Sequence, residues 1–214
     1  MKPRQLGFLM ASVGLLAIAL CTTAWIMPVV DVASATFVGV SAYDRAGESV
    51  AIVGDVNADG YDDFLIGARG GDVIANTGGG AYLFLGTSAA GWGTGIVVNQ
   101  ADATFGSAGY QDYAGHDVAG AGDVNADGYD DFLIGADGYD TPGGLSKAGR
   151  VHLFFGRQAA DWGQGFDVAN SDASFVGETA DANTGHALAA AGDVNGDGYD
   201  DFIFAARPEV GGGD

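Results

Sequence analysis

A fifteen-residue block, Gly-Asp-Val-Asn-Ala-Asp-Gly-Tyr-Asp-Asp-Phe-Leu-Ile-Gly-Ala, stands at residues 54–68 and returns unchanged at 122–136. A third copy at 192–206 differs only at Gly196, Ile203, Phe204 and Ala205. Other landmarks keep the same phase. Ala35-Thr36-Phe37 matches Ala103-Thr104-Phe105 and Ala173-Ser174-Phe175, and Tyr82-Leu83-Phe84-Leu85-Gly86 matches His152-Leu153-Phe154-Phe155-Gly156. Gly91-Trp92-Gly93 matches Asp161-Trp162-Gly163. A long period of this kind means stacked copies of one structural unit, so the repeat constrains the fold before any local propensity does.

Each unit reads as four short strands. In the first they fall at 49–53, 64–68 and 81–85, with the last at 95–99 or 103–105. The runs are rich in β-branched and aromatic residues and are bounded by Gly, Asn and Asp. The 38 glycines fit many tight turns. No segment after the N-terminal stretch sustains a 3.6-residue apolar period over helical length. The expectation is therefore all-β, with four-stranded antiparallel sheets as blades of a β-propeller. A two-layer sandwich is the alternative, and the long period argues against it. The units divide as 36–103, 104–173 and 174–214, the last one short.

Residues 1–35 are expected to form an export signal or an N-terminal membrane anchor. Lys2 and Arg4 precede an apolar run from Leu6 through Leu20, and Ala33-Ser34-Ala35 offers a cleavage site, with another after Ala24. The apolar stretch is also nearly long enough to span a bilayer uncleaved. The chain's one cysteine, Cys21, lies inside this segment, so the rest has no disulfides to hold its loops. Acidic residues number 28 against 8 basic ones, a surface that repels nucleic acid and anionic membranes. The hydrophobic fraction of 48% points to a folded protein whose acids have a purpose. The signal's style suggests a bacterial secreted or cell-surface protein.

The acids are concentrated in the repeated loop. Its first copy presents Asp55, Asn57, Asp59, the backbone carbonyl of Tyr61, and Asp63. These are oxygen donors at alternating positions, as a hard cation with six to eight ligands requires. The second copy offers Asp123, Asn125, Asp127, Tyr129 and Asp131; the third offers Asp193, Asn195, Asp197, Tyr199 and Asp201. Two carboxylates about 4 Å apart repel by ~4 kcal/mol at an effective dielectric of 20, so three in one tight loop call for a counter-ion. Calcium suits this better than magnesium, which seldom uses all-protein cages. An Asp-rich hairpin turn without metal is the simpler alternative. Asp62 has no place in the shell and is expected to face solvent. The motif opens like an EF-hand, yet the twelfth positions are Ile66, Ile134 and Phe204 rather than Glu. The ninth-position Asp closes a shorter loop between two strands.

On these residues the units resemble FG-GAP repeats, the blades of the integrin α-subunit N-terminal β-propeller. Ala46-Gly47, Ala114-Gly115 and Thr184-Gly185 stand at the family's Phe-Gly. Gly67-Ala68-Arg69, Gly135-Ala136-Asp137 and Ala205-Ala206-Arg207 stand at its Gly-Ala-Pro. The Phe and Pro are absent, whereas the calcium loops fit. The resemblance implies about three Ca²⁺ sites and an incomplete propeller of about 2.5–3 blades, since the family usually closes seven. A fragment, or one part of an assembly needing further blades or another chain, is the corresponding expectation.

Other chemistry is thin. His116 and His186 hold equivalent positions, with Glu48 in the first unit, and read as turn residues. His152 takes the place of Tyr82 as a packing substitute. No nucleophile elbow, phosphate loop or His-Glu-x-x-His occurs, so no enzyme is expected. The leading expectation is a calcium-binding extracellular module for adhesion or protein-ligand binding. The alternatives are a glycan-binding module using the in-phase Trp92 and Trp162, or a non-catalytic region of a larger secreted enzyme.

Overall fold

In the first unit, β2 (Val50–Gly54) and β3 (Asp63–Ala68) form a hairpin around the acidic loop, followed by β4 (Gly80–Phe84). The computed structural model describes residues 35–74, 78–88 and 93–207; residues 1–34, where an export signal or anchor is expected, and Trp92 lie outside the described residues. The fourth strand of the sheet is β6 (Ala103–Gly106), antiparallel to β4. Of the two positions read from sequence for that strand, the second is the one used. The intervening β5 (Ile96–Val97) pairs in parallel with β1 (Phe37–Val38).

The second unit repeats the plan. Its sheet runs β7 (Ala114–Gly122), β8 (Asp131–Ala136), β9 (Arg150–Phe154) and β11 (Ala173–Val176). β10 (Phe166–Asp167) reaches back to pair in parallel with β6 of the first sheet, as β5 does with β1. The third unit contributes the hairpin β12 (Ala187–Gly192) and β13 (Asp201–Ala205). Among the described residues the only helical pieces are three-residue 3₁₀ turns. The result is an incomplete β-propeller, with β2, β7 and β12 as the equivalent first strands of successive blades.

Alternation explains how the blades stack. Along β3, Phe64, Ile66 and Ala68 pack on one face with Phe37, while Leu65 packs on the other with Val53 and Phe105. Every residue of β3 and β8 is buried, because both sheet faces are covered. This is why those strands read as unbroken apolar runs. An aromatic trio recurs in each unit. Phe37 sits edge-on to the stacked pair Phe64 and Phe84 at 5.2 and 4.8 Å. Phe105 meets the stacked Phe132 and Phe154 at 5.4 and 4.8 Å. Phe175 meets Phe202 and Phe204 at 5.6 and 5.3 Å. Phe105 and Phe175 thus come from the last strand of one blade and lie on the next; full burial of such a ring stabilises by about 1.5–3 kcal/mol.

Just before each acidic loop the register slips at a glycine with positive φ: Gly54 at 77°, Gly122 at 73° and Gly192 at 66°. These are one-residue bulges that turn the chain out of the hairpin. Gly54 and Gly122 are also required for space, since a Cβ there would overlap the carboxylates of Asp130 and Asp200 from the following blade.

Candidate metal loops and the seams between blades

In the first loop the donor residues share one hydrogen-bonded turn. Asp55 Oδ1 and Oδ2 accept from the backbone N–H groups of Asp59 and Gly60 at 2.9 and 2.7 Å. Asn57 Oδ1 also accepts from Asp59 N–H at 2.9 Å, and Asp59 Oδ1 accepts from Tyr61 N–H at 3.0 Å. The second loop repeats these bonds among Asp123, Asn125, Asp127, Gly128 and Tyr129 within 2.8–3.0 Å. The third repeats them among Asp193, Asn195, Asp197, Gly198 and Tyr199 within 2.8–3.1 Å. Backbone N–H groups of Gly198, Gly196, Asp197 and Asn195 hold the Asp193 carboxylate's pKa below the ordinary value.

The closing aspartates sit differently. Asp63 is fully buried under its loop, accepting from Val56 N–H at 2.9 Å and from Gly86 N–H at 2.6 Å. Burial pushes its pKa up to about 7, the two N–H bonds oppose this, and the nearby Asp59 and Asp55 add to it. Asp131 is equivalent: it accepts from Val124 and Gly156 N–H at 2.9 and 2.8 Å and is raised to about 6 by the same causes. A carboxylate retains lone pairs beyond the two used here, so both can still bind a cation. Asp201 accepts from Val194 N–H at 3.0 Å and is only partly buried.

In the second and third loops the residue following Tyr has a role that the sequence did not reveal. Asp62 is exposed, as expected. Its counterpart Asp130, however, reaches the preceding blade, where Asp130 Oδ2 accepts from Asp55 N–H at 2.8 Å. Asp130 N–H returns a bond to the Asp55 carbonyl at 3.2 Å. Asp200 does the same to Asp123, at 3.0 and 3.2 Å. Burial raises the Asp130 pKa, against the Asp55 N–H bond. The acidic loops are therefore clasped blade to blade.

The opposite ends of β2, β7 and β12 carry a second row of polar residues. Equivalent turns place Glu48, His116 and His186, whose N–H groups donate to the carbonyls of Arg45, Tyr113 and Asn183 at 3.0–3.1 Å. At the first seam Arg69 Nε donates to Glu48 at 2.8 Å, and its Nη1 lies 3.2 Å from His116 Nδ1. At the second seam Asp137 Oδ2 lies 3.4 Å from His116 Nδ1 and 3.3 Å from His186 Nδ1. Burial holds the His116 imidazole below its ordinary pKa, although Asp137 favours its charged form. In the sequence the two histidines stand 70 positions apart on separate turns. Only the stacking of blade upon blade brings them together.

Trp162 packs against Phe105, Phe132 and Phe166 with Arg157 over its ring, and is nearly buried. It presents no open face for a sugar; Trp92 lies outside the described residues. His152 is buried in the strand position of Tyr82, as a packing residue, with Nδ1 3.1 Å from Ser171 Oγ. No helix among the described residues is long and apolar enough to cross a membrane.

The family model for the FG-GAP repeat matches residues 46–84 and 114–154. These spans hold β2–β4 and β7–β9. Integrin alpha pat-2 of Caenorhabditis elegans is 33% identical over 176 residues, which is 77% of this chain and 13% of that protein. Integrin alpha-IIb of Mus musculus is 32% identical over 170 residues, 75% of this chain and 14% of that protein. Integrin alpha-PS2 of Drosophila melanogaster is 31% identical over 163 residues, 72% of this chain and 10% of that protein. The chain thus spans only a small part of the length of these relatives. Its first two blades coincide with matched FG-GAP repeats, and over most of its length the chain is similar to integrin α chains.

Proposed function

We propose that the chain is a calcium-stiffened, secreted or cell-surface repeat module that binds a protein ligand, as in adhesion, without catalysis. The observation that carries the calcium reading is the pair of buried aspartates, Asp63 and Asp131, each beneath a loop with further acids. Burial alone would drive these carboxylates toward the neutral form. A bound cation makes the ionised form favourable again. Asp55, Asn57, Asp59, Tyr61 through its carbonyl, and Asp63 would hold the first ion. Asp123, Asn125, Asp127, Tyr129 and Asp131 would hold the second, and Asp193, Asn195, Asp197, Tyr199 and Asp201 the third. Calcium would supply the positive charge that lets these carboxylates share one loop. The residues themselves fix the β2–β3, β7–β8 and β12–β13 hairpins, and the Asp130 and Asp200 clasps carry that rigidity to the neighbouring blade.

The ligand reading draws on the opposite face. A cleft of about 390 Å³ there is lined by Tyr43, Arg45, Arg69, Gly70, Tyr110 and Tyr113. Tyr43 and Tyr110 are largely exposed. Tyrosine and arginine together are the side chains most enriched where proteins bind one another. Two guanidinium groups also stand out in a chain of net charge −20. The relatives are named as integrin α chains, which supports adhesion as the setting.

Calorimetric titration of the full chain should give close to three calcium sites, with affinity about 10⁻⁴–10⁻³ M as in other extracellular modules. The melting temperature should rise with calcium, and absence of any rise would overturn the calcium reading. Binding to immobilised extracellular-matrix proteins should fall in a Tyr43→Ala, Tyr110→Ala variant. Binding unchanged by that variant would move the ligand surface elsewhere.

A further inference from the structure

The two seams differ at the end away from the acidic loops, and the difference concerns charge. The first seam has Glu48, Arg69 and His116, so a guanidinium is built in beside the acid, at 2.8 Å. The second seam has His116, Asp137 and His186, with an acid between two imidazoles where the first has a cation. We propose that His116, Asp137 and His186 form a binding site for a divalent transition-metal cation, zinc in the first instance, bridging the second and third blades.

Geometry supports the assignment. Tetrahedral zinc with bonds of about 2.0–2.1 Å places neighbouring ligand atoms roughly 3.3–3.4 Å apart. The two histidine–aspartate separations are 3.4 and 3.3 Å. The three ligand atoms all lie within 4.8 Å of one another, and the imidazole rings have centroids 4.8 Å apart at 33°. The histidine–histidine edge is the one that must close, by rotation of His186, whose side chain is 34% exposed. That exposure also gives the ion an entry path and leaves a fourth position open to water. The backbone is already arranged, because Gly115 at φ 76° and Gly185 at φ 90° set the two histidines on equivalent turns.

Donor chemistry separates this site from the acidic loops. Two imidazoles and one carboxylate suit zinc and its neighbours, whereas all-oxygen loops suit calcium. Arg69 is the opposing group, since its Nη1 lies 3.2 Å from His116 Nδ1 and must give up that nitrogen. Glu48 retains the guanidinium, so the cluster of Glu48, Arg69 and Asp137 with two neutral imidazoles keeps a formal charge of −1. A divalent ion leaves the cluster at a formal charge of +1, within a chain whose net charge is −20.

The test is zinc titration of the full chain by calorimetry, with calcium in excess so that the acidic loops are occupied. One zinc per chain should bind, and the His116→Asn, His186→Asn double variant should weaken it on the order of 100-fold. Calcium stoichiometry should be the same in both proteins. Cobalt(II) in place of zinc should give the intense visible bands of a four-coordinate ion in the unaltered chain. Zinc binding of equal strength in the double variant would overturn the proposal, as would no binding up to about 0.1 mM zinc. If the double variant fails to fold, the cobalt spectrum decides, and only the weak bands of a six-coordinate ion would count against the site.

Discussion

The two seams are built from nearly the same residues but reach different degrees of closure. At the first, Phe105 is fully buried among Phe132, Phe154, Trp162 and Phe166. At the second, Phe175 keeps 36% of its surface exposed, although it meets Phe202 and Phe204 at similar distances. The loops differ in the same sense. Asp131 is held by Val124 and by Gly156, which follows the third strand of its blade, while Asp201 is held by Val194. The nine-residue motif therefore forms its internal turn wherever it occurs. In the first two blades the closing aspartate is buried where the residue after the third strand, Gly86 or Gly156, donates to it.

Substitutions at paired positions can break or sharpen this contrast. The largest difference is expected for Phe105→Ala, which should lower the unfolding free energy by about 3–5 kcal/mol in denaturant titration. Phe175→Ala should cost less than about 2 kcal/mol, because less surface is covered. Equal losses would mean that the second seam is as tightly closed as the first. Next come the closing aspartates, measured with calcium in excess. Asp131→Ala leaves the Val124 and Gly156 N–H groups without acceptors and should cost about 2–4 kcal/mol. Asp201→Ala, with one side-chain partner among the described residues and partial exposure, should cost under about 1 kcal/mol. The interblade clasps are the control. Asp130→Ala and Asp200→Ala should each cost about 1 kcal/mol, since both accept from one backbone N–H across a seam. A markedly larger effect at Asp200 would mean that the second seam relies on its clasp where the first relies on packing.

Much of the fold was legible because its signals are local. The Gly, Asn and Asp punctuation marks the strands and the hairpin that holds each acidic loop. The contacts that were missed join distant residues. Asp130 meets Asp55 across 75 positions, so a single loop gives no hint of the clasp, and Asp62 in the first copy is indeed exposed. Val97 and Asp167 likewise look like ends of connecting segments. Their parallel pairing to β1 and β6 follows only once one blade lies against the next. Asp137 was invisible as a partner for His116 and His186 for the same reason. The register Ala114 to Ala136 sets Asp137 near His116 within one blade, and the third unit then delivers His186. In-phase tryptophans suggested a sugar platform, whereas Trp162 fills the core between blades.

A smaller contrast lies within the sheets themselves, where the second carries His152 and Ser171 at the positions of Tyr82 and Ala101 in the first. Burial lowers the His152 pKa from 6.5 to about 3, with the nearby Arg150 acting in the same direction. Between those values the unfolded chain takes up a proton that the folded chain does not. Stability from this residue is therefore fully present above about pH 6.5 and declines as the pH falls toward 3, with a slope of at most about 1.4 kcal/mol per pH unit. Replacing the pair by that of the first sheet, His152→Tyr with Ser171→Ala, installs a side chain that stays neutral throughout this range. The Tyr82 phenol itself is raised to about 12 by burial. Unfolding measured between pH 4 and 7 should show a shallower acid decline in the double variant than in the unaltered chain, with the two lines converging near neutral pH. Parallel lines would mean that His152 takes up its proton in the folded protein, through an opening of the second sheet around β9 and β11 that the first sheet, with tyrosine and alanine there, has no need to make.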